Sequence, residues 1–302
     1  MKCALCSKEA VIYLPYAGSS FCESHFTERF ERVVKKEVRD QIRFRSNSGR
    51  ISVALSGGKD SSVTLYSVAS ILGKRKNVTV TAFTVDEGIR GYRDRSIETA
   101  RKLCSSLGID HEVISYSEVF DTTMDDQVIA GLNGKSPCAI CGPMRRQLIN
   151  MAADRTGSDY VALGMNSDDI AQSVLMNVSR GDLDRLIRMA PHRASIPGLI
   201  PRVTPLRSLS EREVLLYAML KEIPHDSGWC PYYSQAQRNL FRSVIDQIEE
   251  KYPGSKLAMG KMQVEARKAV FQEKEISIDR CRKCGMPSSS ELCSVCRNSG
   301  AA

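Results

Sequence analysis

Residues 51–62 read ISVALSGGKDSS and predict a short strand, a glycine turn and the first turn of a helix. The strand is the apolar run from Ile51 to Leu55, and the helix continues to about Leu72. Gly57 and Gly58 carry no Cβ, so the backbone of the turn can approach a phosphate group closely. The unpaired N–H groups at the start of the helix attract the same group. The stretch therefore predicts a phosphate-binding loop, and its spacing is neither that of a Walker A loop nor that of a dinucleotide-binding turn.

Strand and helix patterns alternate downstream of this loop. Residues 78–85 and 160–163 predict strands, residues 111–114 are a further candidate, and helical patterns lie between them. We therefore expect an α/β fold with a doubly wound parallel sheet, in which the ligand lies beyond the carboxyl ends of the strands where the strand order switches. After Ser208 the pattern changes to helices, at residues 211–221 and 235–251.

The composition is that of a globular protein of 302 residues, with 42% hydrophobic and 26% charged residues. Its length suits one sizeable domain with small appendages. We expect a cytoplasmic protein without a membrane span, because no apolar run approaches about 20 residues and the N-terminus lacks a signal-peptide pattern. The net charge of +8 fits a polyanionic partner, but it is equally compatible with a merely soluble basic protein.

Eleven cysteines, an odd number with paired spacings, favour metal binding over disulfides. Two groups have the spacing of zinc knuckles: Cys3, Cys6, Cys22 and His25 near the N-terminus, and Cys281, Cys284, Cys293 and Cys296 near the C-terminus. Each group offers four ligands in two pairs, which suits a closed tetrahedral structural site. Chance pairs of free thiols are the alternative.

Three further cysteines lie inside the predicted α/β domain. Cys138 and Cys141 form a C-x-x-C pair, which we place in a loop after Pro137, and Cys230 precedes Pro231. The remaining cysteine, Cys104, lies on an apolar helical stripe and is expected to be buried packing.

Residues 56–62 resemble the S-G-G-x-D-S signature of PP-loop ATPases, the adenine nucleotide α-hydrolases of the HUP fold group. That family cleaves ATP between the α and β phosphates and forms an adenylated intermediate. Residues 164–172, GMNSDDIAQ, are similar to the G-x-N-x-D-D-x-A-Q motif of PP-loop tRNA thiolases. The carboxylates of Asp168 and Asp169 are suited to Mg²⁺ or to general acid catalysis. An acidic helix N-terminus without a chemical role is the alternative interpretation.

The cysteine trio resembles the C-x-x-C and distant C-P-Y arrangement of the same thiolases. The resemblance implies that Cys138, Cys141 and Cys230 hold a 4Fe–4S cluster, which leaves one iron open to a sulphur ligand. Two alternatives remain: a persulfide on one of these cysteines, resolved through a disulfide, or a structural zinc with a further ligand such as His225.

The chain is similar over nearly its whole length to TtuA-type tRNA 2-thiolases, in which two zinc knuckles flank the PP-loop domain. The resemblance implies adenylation of the C2 oxygen of a tRNA uridine, followed by replacement of that oxygen by sulphur. Its implied cofactors are ATP, Mg²⁺, a 4Fe–4S cluster and two Zn²⁺, with Asp60, Asp169, Cys138 and Cys230 as catalytic residues. The implied ATP site comprises Ala54, Leu55, Ser56, Gly57, Gly58, Lys59, Asp60, Ser61, Ser62, Val85, Arg145, Gly164 and Asp169.

The resemblance also implies partners and a domain layout. The partners are tRNA, a second copy of the chain in a homodimer, and as sulphur source either a ubiquitin-like carrier with a thiocarboxylate terminus or free sulfide. The expected segments are the first knuckle at 1–30, the PP-loop domain at 31–208, a helical segment at 209–274 that completes the active site, and the second knuckle at 275–302.

Two other functions remain possible at this point: a lysidine-type PP-loop tRNA ligase, and a non-enzymatic zinc-knuckle RNA-binding protein. A group of arginines crowds one irregular stretch: Arg180, Arg185, Arg188, Arg193, Arg202 and Arg207. That stretch is either a docking surface for a tRNA backbone or a solvated loop.

Overall fold

A computed structural model describes residues 1–44, 48–132, 134–191, 199–271 and 279–298. The chain begins with a small hairpin of β1 (Ile12–Leu14) and β2 (Ser19–Phe21), and helix α1 (Glu23–Gln41) follows directly. Among the described residues, no helix is both long and apolar enough to cross a membrane.

Strands and helices then alternate, as the sequence predicts. Their bounds are β3 (Gly49–Ala54), α2 (Lys59–Leu72), β4 (Val78–Asp86), α3 (Arg93–Leu107), β5 (His111–Ser115), α4 (Tyr116–Phe120), α5 (Met124–Ile129), α6 (Pro137–Arg155), β6 (Tyr160–Leu163), α7 (Ser167–Val178), α8 (Leu183–Arg188) and β7 (Arg202–Val203). The strand at residues 111–114 is therefore confirmed, whereas the two-residue strand β7 was not predicted.

The central sheet is parallel, with the strand order β5-β4-β3-β6-β7. Side chains of successive strand residues point to opposite faces. Accordingly, Ala82 packs into the core under α1, α2 and α9 (Glu211–Leu220), whereas Phe83 packs into the core under α6. The sheet is thus covered on both faces, and the expected doubly wound fold is confirmed. The chain reverses its direction of winding between β3 and β6, which puts the switch point where Leu55 and Gly164 leave the sheet.

The C-terminal part consists of α10 (Arg238–Lys251), α11 (Ser255–Phe271), the short strands β8 (Asp279–Arg280) and β9 (Pro287–Ser288), and α12 (Ser294–Asn298). Helix α11 was not predicted, because Gly260 interrupts its pattern. Its position depends on tertiary contacts: Arg207 donates to the carbonyl oxygen of Gly260 at 2.9 Å, and Gln263 donates to that of Leu186 at 3.1 Å.

The prediction that Cys138 and Cys141 lie in a loop is wrong, because helix α6 already begins at Pro137. Pro143 lies inside this helix. Proline removes the N–H that would bond the carbonyl of Ala139 four residues earlier. That carbonyl accepts a hydrogen bond from the side-chain amide of Asn298 at 3.4 Å, so a partner from the far end of the chain compensates.

The N-terminal module is fastened to α9 through a buried carboxylate. Glu213 has no exposed surface, and it accepts hydrogen bonds from Tyr16 and Arg29, each at 2.8 Å. The rings of Phe30 and Tyr217 stack beside this contact, with centroids 3.9 Å apart. Helix α1 runs through the predicted limit at residue 30, so it connects the module to the sheet domain without a linker.

Candidate active site

The phosphate loop lies between β3 and α2, at the switch point of the sheet. Gly57 has φ of +85°, and a Cβ there would meet the carbonyl oxygen of Ser96 at 2.2 Å. Gly58 caps α2 without a side-chain hydrogen bond, which leaves the first N–H groups of the helix available to a ligand. The hydroxyl of Ser61 accepts from the N–H of Ser56 at 3.1 Å and fixes the turn, while the buried hydroxyl of Ser62 has no hydrogen-bond partner among the described residues.

Polar side chains from later elements surround the first turn of α2. Lys59 pairs with Asp60 at 2.9 Å and with Glu211, at the start of α9, at 2.8 Å. Arg242 of α10 pairs with Glu211 in turn. Asn166 donates to Asp60 at 3.0 Å. Glu211 and Arg242 are site residues that the sequence analysis did not single out, since only their distant partners give them this role, whereas Asn166 belongs to the motif at residues 164–172.

Gly164 brings the second motif against the phosphate loop. A Cβ at this position would lie 2.6 Å from the backbone nitrogen of Ser61, so only glycine permits the approach. Asn166 caps α7 by accepting from the N–H groups of Asp168 at 2.9 Å and Asp169 at 3.1 Å. The cap fixes both carboxylates at the start of the helix.

The two carboxylates of this cap have different surroundings. Asp168 is buried, and it accepts hydrogen bonds from Lys256 at 2.6 Å and from the N–H of Glu211 at 2.9 Å, so it holds α9 and α11 against α7. Asp169 faces the phosphate loop. Desolvation raises the pKa of Asp169 to about 6, against the opposing charge of Arg238, whose guanidinium lies 3.2 Å away. Arg238 is a further residue that the sequence analysis missed.

The three cysteines are close enough for Cys230 to interact electrostatically with both Cys138 and Cys141. Cys141 is buried in α6, Cys138 is exposed in the first turn of that helix, and Cys230 is half-buried and packs against the same apolar core as Cys141. Burial raises the pKa of the Cys138 and Cys230 thiols, and the charge of Cys141 adds to both shifts. Arg145 opposes these shifts and donates to Cys141 Sγ at 3.1 Å.

A polar path connects this trio to the phosphate loop. Arg145 Nε lies 3.0 Å from the carboxylate of Glu87, which is fully buried. Glu87 also pairs with Arg93, whose guanidinium donates to the carbonyl oxygen of Ser56 at 3.1 Å. A charged chain therefore runs from the loop through two arginines to Cys141, and it includes the predicted ATP residue Arg145.

Backbone pairing connects the segment before Cys230 to the phosphate loop. Gly58 and Asp226 form a parallel bridge, and the N–H of Asp226 donates to the carbonyl oxygen of Gly57 at 2.8 Å. Trp229, directly before Cys230, is 63% exposed, and its ring lies 4.7 Å from that of Tyr233.

The trio does not have the geometry of a zinc site. Within the described ranges, the sets of potential ligand atoms lying within 4.8 Å of one another are the two predicted knuckles, and the trio is not among them. His225 Nδ1 instead contacts the carbonyl oxygen of Ile223 at 2.8 Å. These distances disfavour the structural-zinc alternative for Cys138, Cys141 and Cys230.

Both knuckles have the geometry that zinc requires. Thiolates at about 2.3 Å from a tetrahedral ion lie about 3.8 Å apart. The Cys6 and Cys22 sulphurs are 3.8 Å apart, and His25 Nδ1 lies 3.4 Å from Cys22 Sγ. In the second knuckle the sulphurs of Cys284 and Cys293 are 3.6 Å apart.

The backbone around Cys281 favours a thiolate, whereas burial raises the pKa of the Cys284 and Cys296 thiols. Hydrogen bonds from the backbone of Cys293 and Cys284 lower the pKa of Cys281 to about 6. The donor sets thus fit the predicted Zn²⁺ ions.

The other predicted residues fall where the sequence places them, or outside the described ranges. Ala54 ends β3 and Leu55 follows it directly, and Val85 lies near the end of β4, so all three border the switch point. Burial raises the pKa of Cys104 to about 11, as packing implies. Arg193 lies outside the described residues.

Comparison with known proteins identifies the family. The model of the PP-loop domain matches residues 22–248, and that of the N-terminal LIM domain of 2-thiouridine synthetase TtuA matches residues 2–27. The chain is 32% identical to the tRNA 2-thiolation protein NcsA of Haloferax volcanii, over 98% of both chains. This chain belongs to the PP-loop family of tRNA 2-thiolation proteins.

Two further relatives of the family extend the comparison. The tRNA-5-methyluridine(54) 2-sulfurtransferase of Pyrococcus horikoshii is 32% identical, over 98% of this chain and 93% of that protein. The U34-tRNA thiolase NcsA of Methanococcus maripaludis, solved with its 4Fe–4S cluster, superposes with a TM-score of 0.84 at 31% identity, over 99% of this chain and 95% of that one. The lysidine-type and non-enzymatic alternatives receive no support from these names.

Proposed function

We propose that this tRNA 2-thiolation protein adenylates the C2 oxygen of a tRNA uridine with ATP and exchanges that oxygen for sulphur in a single pocket. The observation that carries the proposal is the chain of contacts from Ser56 through Arg93, Glu87 and Arg145 to Cys141. An ATPase without sulphur chemistry has no need for a guanidinium that joins its phosphate loop to a thiol.

The first step is an attack on the α-phosphorus of ATP. Gly57, Gly58 and the open N–H groups of α2 hold the phosphates, and Lys59 adds positive charge. The uridine C2 oxygen forms a bond to the α-phosphorus, and pyrophosphate leaves with the electrons of the broken bond. Asp60 and Asp169 interact electrostatically, and two carboxylates with substrate phosphates are a typical Mg²⁺ environment.

Asp169 is the proposed acid–base residue, and Asp168 has a structural role. The carboxylate of Asp168 is already engaged by Lys256 and by the start of α9. Asp169 has a pKa near 6, within the range where a carboxyl group takes and releases protons at physiological pH.

The second step replaces the activated oxygen. A sulphur nucleophile forms a bond to C2, and AMP leaves with the former C2 oxygen. Cys138, Cys141 and Cys230 would hold a 4Fe–4S cluster, which with three protein ligands supplies an open iron for the sulphur donor. The three residues fit this group, because all their donor atoms are thiol sulphurs. In addition, Arg145 donates a hydrogen bond to the sulphur of Cys141, and such hydrogen bonds are common around the sulphurs of iron–sulphur clusters. The cluster of the Methanococcus maripaludis relative supports the assignment.

Two Zn²⁺ ions in the knuckles would hold the ends of the chain against the core, since closed four-ligand sites are structural. A cytoplasmic location, a homodimer, and sulphur delivery by a ubiquitin-like thiocarboxylate carrier or by free sulfide complete the proposal.

The decisive experiment is nucleoside analysis of tRNA incubated with the anaerobically purified protein, ATP and sulfide. We expect 2-thiouridine together with AMP and pyrophosphate. Mapping the product is part of the experiment, because the relatives are named for positions 34 and 54. Cys138→Ala should abolish thiolation and lower the iron content, whereas the matched variant Cys104→Ala should change neither. A colourless, iron-free protein that still thiolates tRNA would contradict the cluster and favour direct attack of sulfide on the activated C2 carbon.

A further inference from the structure

A basic groove separates the second knuckle from the catalytic domain. Its volume is about 330 Å³, and its walls are α6, the segment at 199–202 and residues 286–295 of the knuckle. Three guanidinium groups line it, those of Arg146, Arg188 and Arg202. No carboxylate lines this groove among the described residues.

Among the described residues, no carboxylate pairs with the positive charges of the groove. Within the described ranges, none of the three guanidiniums is within ion-pair distance of a carboxylate; Arg202 reaches the side-chain oxygen of Asn150 at 3.2 Å, and Arg188 the carbonyl oxygen of Asp184 at 3.1 Å. Burial and the neighbouring cation Arg146 lower the pKa of Arg202. Partial desolvation and the charges of Arg185 and Arg145 lower the pKa of Arg146, although the residue remains exposed to solvent. An anion in the groove would relieve this repulsion.

We propose that this groove binds phosphodiester groups of the tRNA, so that the second knuckle and α6 grip the RNA backbone together. The inference rests on the proposed function, because it takes the substrate to be RNA. Guanidiniums match phosphate oxygens in pairs of hydrogen bonds, and Ser288, Ser289 and Gln147 add neutral donors of the kind that contact phosphate and sugar.

The position of the groove on α6 relates it to the active site. Arg145 points to Glu87 and Cys141, whereas Arg146, about 100° further around the helix, lines the groove. A strand of RNA held by Arg146 therefore lies against the same helix that carries the thiols. In this arrangement the groove would hold the RNA backbone, and the adjacent face of the same helix would present Arg145 and the thiols to the reaction.

The test compares two double variants that remove the same charge. Arg146→Gln/Arg188→Gln affects the groove, and Arg75→Gln/Lys76→Gln affects another basic surface at the amino end of β4. All four side chains belong to exposed residues, and circular dichroism and zinc content verify folding. Binding of unmodified tRNA by the full-length protein is measured by fluorescence anisotropy over a range of salt concentrations.

We expect the groove variant to bind tRNA about 10-fold more weakly at physiological salt, with a salt slope smaller by about 1.5, because two phosphate contacts are lost. The control variant should bind like the wild type. Equal loss in both variants, or loss in neither, overturns the proposal. If the double variant does not fold, the same binding measurement on the single variant Arg188→Gln decides whether the groove binds tRNA. A wild type that binds tRNA through the groove but never thiolates it rejects the proposed function and leaves this inference standing.

Discussion

The backbone N–H of Asp226 donates a 2.8 Å hydrogen bond to the carbonyl oxygen of Gly57. This bond fixes a segment from the C-terminal third of the chain on the phosphate loop. Cys230 follows four residues later, so the third thiol is positioned by the loop that would hold ATP. A change in the loop is therefore transmitted to the cysteine trio through backbone contacts.

The two glycines of the loop should respond differently to an added methyl group. In Gly57→Ala the new Cβ meets the backbone of Ser96 and the residue keeps an unfavourable positive φ, so we expect a loss of more than about 2 kcal/mol in the free energy of unfolding. In Gly58→Ala the nearest atom is Ser56 Oγ at 3.7 Å, so the loss should stay within about 1 kcal/mol. Urea denaturation measures both. Gly58→Ala should still weaken ATP binding, and unchanged ATP affinity would argue against close phosphate approach at Gly58.

The rate of AMP release should fall as the pH drops below about 6, because protonation of Asp169 removes its negative charge. Asp169→Asn should lower the rate about 100-fold and remove this limb of the pH profile. Arg238→Gln should shift the limb to higher pH, since Arg238 lowers the pKa of Asp169. The raised pKa also means that Asp169 stabilises the fold most at pH below about 4, and that this contribution is lost as the pH rises through 6.

The matched control for that profile is Asp168→Asn. It should weaken the contact to Lys256 and lower the melting temperature without moving the limb. A limb that disappears in Asp168→Asn but persists in Asp169→Asn would reverse the roles of the two carboxylates.

Arg145→Gln should break the chain of charged contacts that links the phosphate loop to the thiols. It removes the charged contacts to Glu87 and Cys141 and leaves the Glu87 carboxylate with Arg93 as its ion-pair partner. Loss of a hydrogen bond between charged groups costs about 1.5–3 kcal/mol, so ATP turnover should fall about 10- to 150-fold. The neighbouring variant Arg146→Gln should leave tRNA-independent ATP binding unchanged, as measured by calorimetry. Equal effects in both variants would indicate a general loss of positive charge.

Docking of the N-terminal module should depend on one carboxylate. Glu213→Gln leaves Arg29 and Tyr16 without their buried anion and should cost about 3 kcal/mol in the free energy of unfolding. Glu118→Gln, which breaks an exposed pair with Arg155, should cost less than about 1 kcal/mol. Chemical denaturation of the two variants side by side tests the difference. Similar values would mean that the module contributes little to the stability of the core.

Local sequence patterns predict the parts of this site that are formed by residues adjacent in the chain. The phosphate loop, the cap at Asn166 and the knuckle pairs are of this kind, because their geometry follows from neighbouring backbone groups. Arg238 and Glu211 could not be found in this way, since each acquires its role only from a partner tens of residues distant. The start of α6 was mispredicted for the same reason: Pro143 is tolerated because Asn298 supplies the missing donor.

That last contact has a consequence for the order of assembly during synthesis. Ala139 and Asn298 are 159 residues apart, and Lys135, just before the cysteine helix, also binds Asn298, at 2.9 Å. On the ribosome, the helix with Cys138 and Cys141 emerges long before the residue that completes its hydrogen bonding. Until Asn298 has been synthesised, the carbonyl oxygen of Ala139 lacks its side-chain donor and Lys135 lacks its partner. The cysteine helix and the second knuckle are therefore expected to complete their structures together, late in folding.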